Sequence, residues 1–137
     1  MNQDKNLPQR KNIRLREYDY SLGAYYFVTI CINEKKSIFG TIKNKKIYLN
    51  SIGEIASNEW INTEKIRPNI RLHSFIIMPN HMHGIIEIDY FEIKQKKKST
   101  LGDIIRGYKS SVTRKANLLI SYKNRNLWQR NYYEHII

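Results

Sequence analysis

The sequence predicts an α+β domain with an antiparallel sheet. Strongly β-favouring stretches alternate with two segments of helical periodicity, and neighbouring β stretches are separated by short turns. The 137 residues match the usual size of one domain, and the 41% hydrophobic content is enough for a core, which excludes a disordered chain. A single cysteine excludes a disulfide-stapled scaffold.

The predicted strands are short stretches rich in β-branched and aromatic residues. They cover residues 25–32, 38–42, 45–49, 70–78 and 84–88, with two shorter β-like pieces around residues 129–131. Asn44 and the pair Pro79-Asn80 are turn-forming residues between neighbouring stretches. Neighbours joined by such short turns favour an antiparallel sheet.

The first predicted helix covers residues 51–65. Ser51 and Glu54 have the form of a capping box, in which each side chain binds a free main-chain amide of the first turn. Apolar residues then recur at helical spacing, and Pro68 stands just beyond the end. Ahead of the domain, which we place at 24–137, residues 1–23 are polar and basic without a clear period and are interpreted as an arm.

The charge of the chain predicts a polyanionic partner. Lys and Arg number 24 against 12 Asp and Glu, which gives a formal net charge of +12. Eleven basic and four acidic residues lie from Asp89 onward, so the excess is largest in the C-terminal third. Nucleic acid is the partner that such a charge predicts, because each neutralised phosphate releases condensed counterions. A basic, solvated surface without a specific ligand is the alternative.

Five side chains of the C-terminal third are candidates for DNA binding. Three lie on a second predicted helix at 100–116, capped by Ser99 or Thr100, away from its apolar stripe: Arg106, Lys109 and Arg114. The tail adds Trp128 and Arg130, where aromatic residues alternate with cations as in proteins that stack exposed bases. The alternatives are a solvated helix face and an edge strand whose Trp128 completes the core.

A pair of histidines is the sharpest local feature. It lies in Pro79-Asn80-His81-Met82-His83-Gly84, within an apolar segment. If this segment is a strand, His81 and His83 share one face and Met82 points into the core. Neighbouring imidazoles at this spacing can bind one divalent metal ion, although two unrelated histidines are an equally simple interpretation. The third ligand is left open among Glu87, His73 and His135.

These segments together resemble the single-tyrosine HUH transposases, and most closely the REP-associated tyrosine transposase family. The blocks that carry the resemblance are residues 24–29 (AYYFVT), 75–84 (FIIMPNHMHG), 104–110 (IIRGYKS) and 128–135 (WQRNYYEH). The resemblance implies a ferredoxin-like HUH endonuclease fold, in which a central antiparallel sheet has helices packed on one face. It also implies that His81 and His83 hold Mg²⁺ or Mn²⁺ against the scissile phosphate. It also implies single-stranded DNA with hairpins as the substrate, and a homodimer. The polar N-terminus and the lack of a long apolar run lead us to expect a cytoplasmic protein without a membrane partner.

The resemblance also implies a tyrosine nucleophile that forms a 5′-phosphotyrosine and leaves a free 3′-OH. In the family this tyrosine lies on a helix after the segment that matches residues 128–137, so we expect it beyond Ile137, on a C-terminal helix missing from these residues. Tyr108, Tyr132 and Tyr133 match other positions of the family. A non-catalytic module or regulator that binds hairpin DNA or RNA is the second hypothesis, and a metal-dependent nuclease that uses water is the third.

Overall fold

The computed structural model describes residues 24–89, 100–119 and 127–137. Its helices and strands are β1 (Ala24–Cys31), β2 (Gly40–Lys43), β3 (Lys46–Leu49), α1 (Ser51–Ile66), β4 (Ile70–Met78), β5 (His81–Ile88), α2 (Leu101–Ala116) and β6 (Tyr133–Ile136). A short 3-10 turn at Asn33–Lys35 follows β1. The predicted arm at 1–23 and the lysines at 96–98 lie outside the described residues.

Four of the strands form one antiparallel sheet in the order β4-β5-β1-β6. Thr29 of β1 lies opposite His83 of β5 on one side and opposite Tyr133 of β6 on the other. Within the described ranges, strands β2 and β3 pair only with each other and form a separate two-stranded ribbon. The predicted α+β class with a central antiparallel sheet is confirmed.

Both helices pack on one face of this sheet, as predicted. Buried side chains alternate with more accessible ones along β1 and β5, because successive residues of a strand point to opposite faces. The buried face meets α1 and α2, whose Trp60 and Tyr108 rings pack edge-to-face at 5.1 Å. In the described part of the chain, neither helix has the length and apolar content needed to cross a membrane. We call the other face of the sheet the open face.

The predicted cap of α1 and the predicted start of β5 are wrong. The first helix is capped by Asn50, whose side chain accepts from the amide of Gly53, and not by a capping box at Ser51. Asn50 takes this place because its amide nitrogen also donates to Ile38 O, which fixes the side chain. Strand β5 begins at His81 rather than at residue 84, because its first residues already pair with the end of β1. The second helix is capped by Thr100, one of the two predicted caps, in a capping box with Asp103.

Candidate metal centre

His81 and His83 lie side by side on the open face, at the start of β5. Their ring centroids are 4.7 Å apart and the ring planes are inclined by 75°. Met82, between them in sequence, is fully buried under the opposite face. The predicted alternation of the three side chains is therefore correct.

The Nδ1 atom of each imidazole is engaged in a hydrogen bond. Asn80 Oδ1 is 2.7 Å from His81 Nδ1, and the Asn80 amide nitrogen donates to Lys35 O at 3.3 Å. Since an amide oxygen only accepts, His81 carries its proton on Nδ1 in this arrangement. Thr29 Oγ1 is 2.9 Å from His83 Nδ1. Hydrogen bonds of this kind at one ring nitrogen direct the other, Nε2, toward a metal ion.

The turn that carries Asn80 is braced by main-chain bonds. Phe39 N donates to Pro79 O and Ile32 N donates to Asn80 O, each at 2.9 Å. Both carbonyl groups of the turn are therefore occupied by the segment that follows β1. This bracing fixes Asn80 and, through it, the ring of His81.

Both histidines have a pKa below the ordinary value. Partial burial lowers the pKa of His83, and it is the largest cause for His81, with smaller contributions from His83 and Lys35. A lowered pKa keeps the imidazoles neutral at pH 7, which is the form that binds metal ions. The electrostatics of the pair thus match the chemistry of a metal ligand.

The candidate third ligands lie elsewhere on the open face. Glu87 is four residues along β5 from His83, a distance of about 13 Å, and its carboxylate binds His73 at 3.1 Å. The ring of His135 packs against Phe27, which stacks on His83. Among the described residues, no group of three or more His, Cys, Asp or Glu side chains could hold a metal ion. The described site therefore offers two ligands.

Lys35 is a cation near the pair that the sequence analysis did not identify. Its charge contributes to the lowered pKa of His81. Glu34 and Lys35 both have positive φ, 57° and 52°, a region that costs a non-glycine residue free energy. Backbone strain of this kind collects at functional sites. Cys31 is half-buried and lies opposite His81 at the end of β1, where burial raises its pKa.

The five predicted DNA-binding residues divide into two sets. The first set is exposed to solvent and comprises Arg106, Arg114 and Arg130. Arg106 also forms an ion pair with Asp103 at 3.3 Å. The second set makes contacts within the domain. Lys109 Nζ donates to Gln129 O at 2.8 Å, and Trp128 Nε1 donates to Lys109 O at 3.2 Å. Lys109 and Trp128 therefore attach the C-terminal segment to α2.

The described tyrosines differ in their access to the histidines. Tyr108 is buried, its hydroxyl donates to Ala56 O at 2.9 Å, and burial raises its pKa far above the ordinary value. Tyr133 is exposed and lies two strands away from His83 on the open face, opposite Thr29. Two strand spacings place its Cα about 10 Å from that of His83. Of these two tyrosines, only Tyr133 is placed to reach the pair.

The chain is similar to known proteins in sequence and in fold. It is 40% identical to an uncharacterized protein of Haemophilus influenzae over 146 aligned positions, which cover 93% of this chain and 78% of that protein. No protein-family profile matches it.

Two solved structures share the fold. One is a REP-associated tyrosine transposase bound to a REP hairpin, with a TM-score of 0.60 and 18% identity over 93% of this chain. This chain spans 62% of the length of that transposase. The other is a proposed transposase from Deinococcus radiodurans, with a TM-score of 0.52 and 13% identity, covering 92% of this chain and 86% of that one. The chain belongs to the same family as the Haemophilus influenzae protein and has the fold of the REP-associated tyrosine transposases.

Proposed function

We propose that this chain is the DNA-binding, metal-holding body of a tyrosine transposase that cleaves and rejoins single-stranded DNA with hairpins. The observation that carries the proposal is the His81–His83 pair on the open face, with both Nδ1 atoms engaged in hydrogen bonds and neither Nε2 atom hydrogen-bonded within the described part of the chain. The hairpin bound to the transposase of the same fold supports this class of substrate. The net charge of +12 supports a nucleic acid partner in general.

His81 and His83 would hold Mg²⁺ or Mn²⁺ through Nε2. When bound, the ion supplies Lewis-acid polarisation of the scissile phosphate. Asn80 and Thr29 orient the two rings, and the neutral state of the imidazoles keeps their lone pairs available. Two protein ligands leave coordination positions for phosphate oxygens and water.

The proposed reaction exchanges one phosphodiester for another. A tyrosine hydroxyl attacks the phosphorus, the 3′-oxygen leaves and takes up a proton, and a 5′-phosphotyrosine remains. Attack by another 3′-OH on that adduct joins two DNA ends and frees the tyrosine. We expect the nucleophile on a helix after Ile137, as the family resemblance implies, and Tyr133 is the alternative within the described residues. Assembly as a homodimer follows from the same resemblance.

The test is the intact-protein mass after incubation with single-stranded hairpin DNA and Mn²⁺. The 137-residue chain is run beside a version extended through a further C-terminal helix, each with and without Tyr133→Phe. An adduct on the extended chain alone supports a nucleophile beyond Ile137. An adduct on the short chain that Tyr133→Phe abolishes assigns the attack to Tyr133.

The role of the histidines is tested in whichever chain forms the adduct. His81→Ala/His83→Ala should abolish adduct formation, whereas His73→Ala/His135→Ala, which removes two other histidines of the open face, should not. Equal adduct formation by both double variants would refute the metal site. Hairpin binding that EDTA does not change, without any adduct, would instead favour the non-catalytic binding module. Light scattering tests the expected dimer.

A further inference from the structure

The two-stranded ribbon is a separate feature of the surface. We call residues 40–49, which form β2, β3 and the turn between them, the basic ribbon. It pairs with no strand of the main sheet, and its residues 41–46 are all exposed. A ribbon of two strands is narrow enough to enter the major groove of B-form DNA.

One face of the basic ribbon concentrates positive charge. Lys43 and Lys46 lie directly opposite each other and Tyr48 lies opposite Thr41, so all four side chains share a face. Like charges in directly opposed positions repel and weaken a hairpin. Among the described residues, no carboxylate forms an ion pair with Lys43, Lys45 or Lys46. The charge of this face is therefore available to a partner.

The turn of the basic ribbon also carries a charge that folding does not require. Asn44 and Lys45 have φ of 50° and 66°. Two-residue turns with positive φ at both positions prefer Asn followed by Gly, because glycine has no Cβ to clash. A lysine at the second position adds a third cation at the tip in spite of this preference.

The root of the basic ribbon is fixed to the candidate metal centre. Asn50, directly after β3, donates to Ile38 O through its side-chain nitrogen and to Phe39 O through its main-chain N–H. Phe39 in turn donates to Pro79 O, in the turn that precedes His81. A duplex held by the basic ribbon would thus stand at a fixed position relative to His81.

We propose that the basic ribbon binds the phosphate backbone of a B-form DNA duplex through Lys43, Lys45 and Lys46, and so holds the stem of the DNA hairpin beside the histidine pair. This inference rests on the proposed function for its substrate. Charge complementarity favours DNA over a protein partner, and the deep, narrow major groove of an RNA duplex does not admit a ribbon. The binding is independent of sequence, because phosphates are the same at every base pair.

The test measures binding by fluorescence anisotropy in EDTA, with three probes: a blunt DNA duplex, an RNA duplex of the same sequence, and oligo(dT) of equal nucleotide number. Lys43→Gln/Lys46→Gln should weaken binding to the DNA duplex roughly 30-fold at 0.15 M salt. This is the loss of affinity expected when two lysine–phosphate contacts, and the counterions that they release, are removed. The slope of log affinity against log salt should fall by about 1.8 on the same probe. Binding to oligo(dT) and to RNA should be unchanged.

Three further variants serve as controls. Lys43→Arg/Lys46→Arg should retain duplex binding, because it keeps both charges. Lys65→Gln removes a charge from an exposed position at the end of α1 and should not change duplex binding. Lys45→Gly should weaken duplex binding although it relieves the turn, so that unfolding cannot explain the loss.

Unchanged duplex binding by the glutamine double variant would overturn the proposal. An equal loss of affinity for oligo(dT) or RNA would also overturn it, because that loss would indicate long-range electrostatic attraction and not a binding site for a DNA duplex. The proposed function fails in a different way, by the absence of a Mn²⁺-dependent adduct in chains that still bind the duplex. If the unaltered chain does not bind the duplex, the proposal that the basic ribbon binds DNA is overturned as well.

Discussion

A side chain at Gly84, in the middle of β5, should destabilise the fold. A Cβ at this position would lie 3.0 Å from Trp60 Cζ2, 3.2 Å from Cε2 and 3.3 Å from Nε1. Trp60 is fully buried and packs against Tyr108, so the ring can yield only by disturbing the core. Overpacking of this kind costs about 1–3 kcal/mol, and we expect Gly84→Ala to lower the melting temperature by roughly 4–12 °C.

Two comparisons show whether the indole is the cause. In a Trp60→Phe background the outer ring of the indole, which carries the nearest atom Cζ2, is gone, and the penalty of Gly84→Ala should shrink by about 0.5–3 kcal/mol in a double-mutant cycle. Gly102→Ala, on α2, would meet nothing closer than 3.8 Å and should stabilise the protein by about 0.5–1 kcal/mol, since alanine suits a helix better than glycine. Thermal unfolding of all four variants measures both effects. Equal penalties for Gly84→Ala in the two backgrounds would refute the steric explanation.

Three other changes have outcomes that the structure defines. Lys45→Gly should raise the free energy of unfolding by about 0.5–1 kcal/mol in urea titrations, because glycine adopts the left-handed backbone conformation of this position more easily than lysine. Glu59→Gln should lower the free energy of unfolding by about 1–3 kcal/mol, because the Glu59 carboxylate accepts hydrogen bonds from two side chains of α2. Glu64→Gln, at an exposed position of the same helix, is the control. Hydrogen bonds to Lys115 and Ser111 lower the pKa of Glu59, so the ionised carboxylate stabilises the fold above about pH 4.5. This contribution should be lost as the pH falls through the lowered pKa. Acid titrations of the unmodified chain should show the loss, and those of Glu59→Gln should not. Tyr108→Phe should lower the free energy of unfolding by about 1 kcal/mol, since the hydrogen bond from the Tyr108 hydroxyl to Ala56 O is lost, and any adduct seen by mass spectrometry should persist.

The sheet could be predicted from the sequence because its strands have strong patterns. Residues 70–78 are rich in apolar and β-branched side chains, and the structure gives the same bounds for β4. The start of β5 could not be predicted, because His81 to His83 has no β-branched residue and becomes a strand only through its pairing with β1. The cap of α1 was missed for a similar reason: Asn50 is selected by its contact with Ile38, which is distant in sequence.

The candidate metal centre was predictable only where it depends on local geometry. The two-residue spacing was sufficient to place His81 and His83 on one face. Thr29 could not be found in this way, because it is 54 residues from its partner His83 and meets it only through the register of β1 and β5. Asn80 precedes His81 directly, so the motif contained a signal for it, but its bond to Lys35 depends on the fold.

The turn at Pro79-Asn80 couples the candidate metal centre to the basic ribbon. Its two carbonyl groups and the Asn80 side chain all bind the segment between β1 and β2. That segment contains the strained Lys35 at one end and Phe39, the root of the basic ribbon, at the other. Because these bonds are shared, a duplex that displaced the ribbon would also move Asn80 and the ring of His81. Displacement of the ribbon by a duplex should therefore alter the affinity of the histidines for Mn²⁺, and by linkage Mn²⁺ should alter the affinity for that duplex by the same factor.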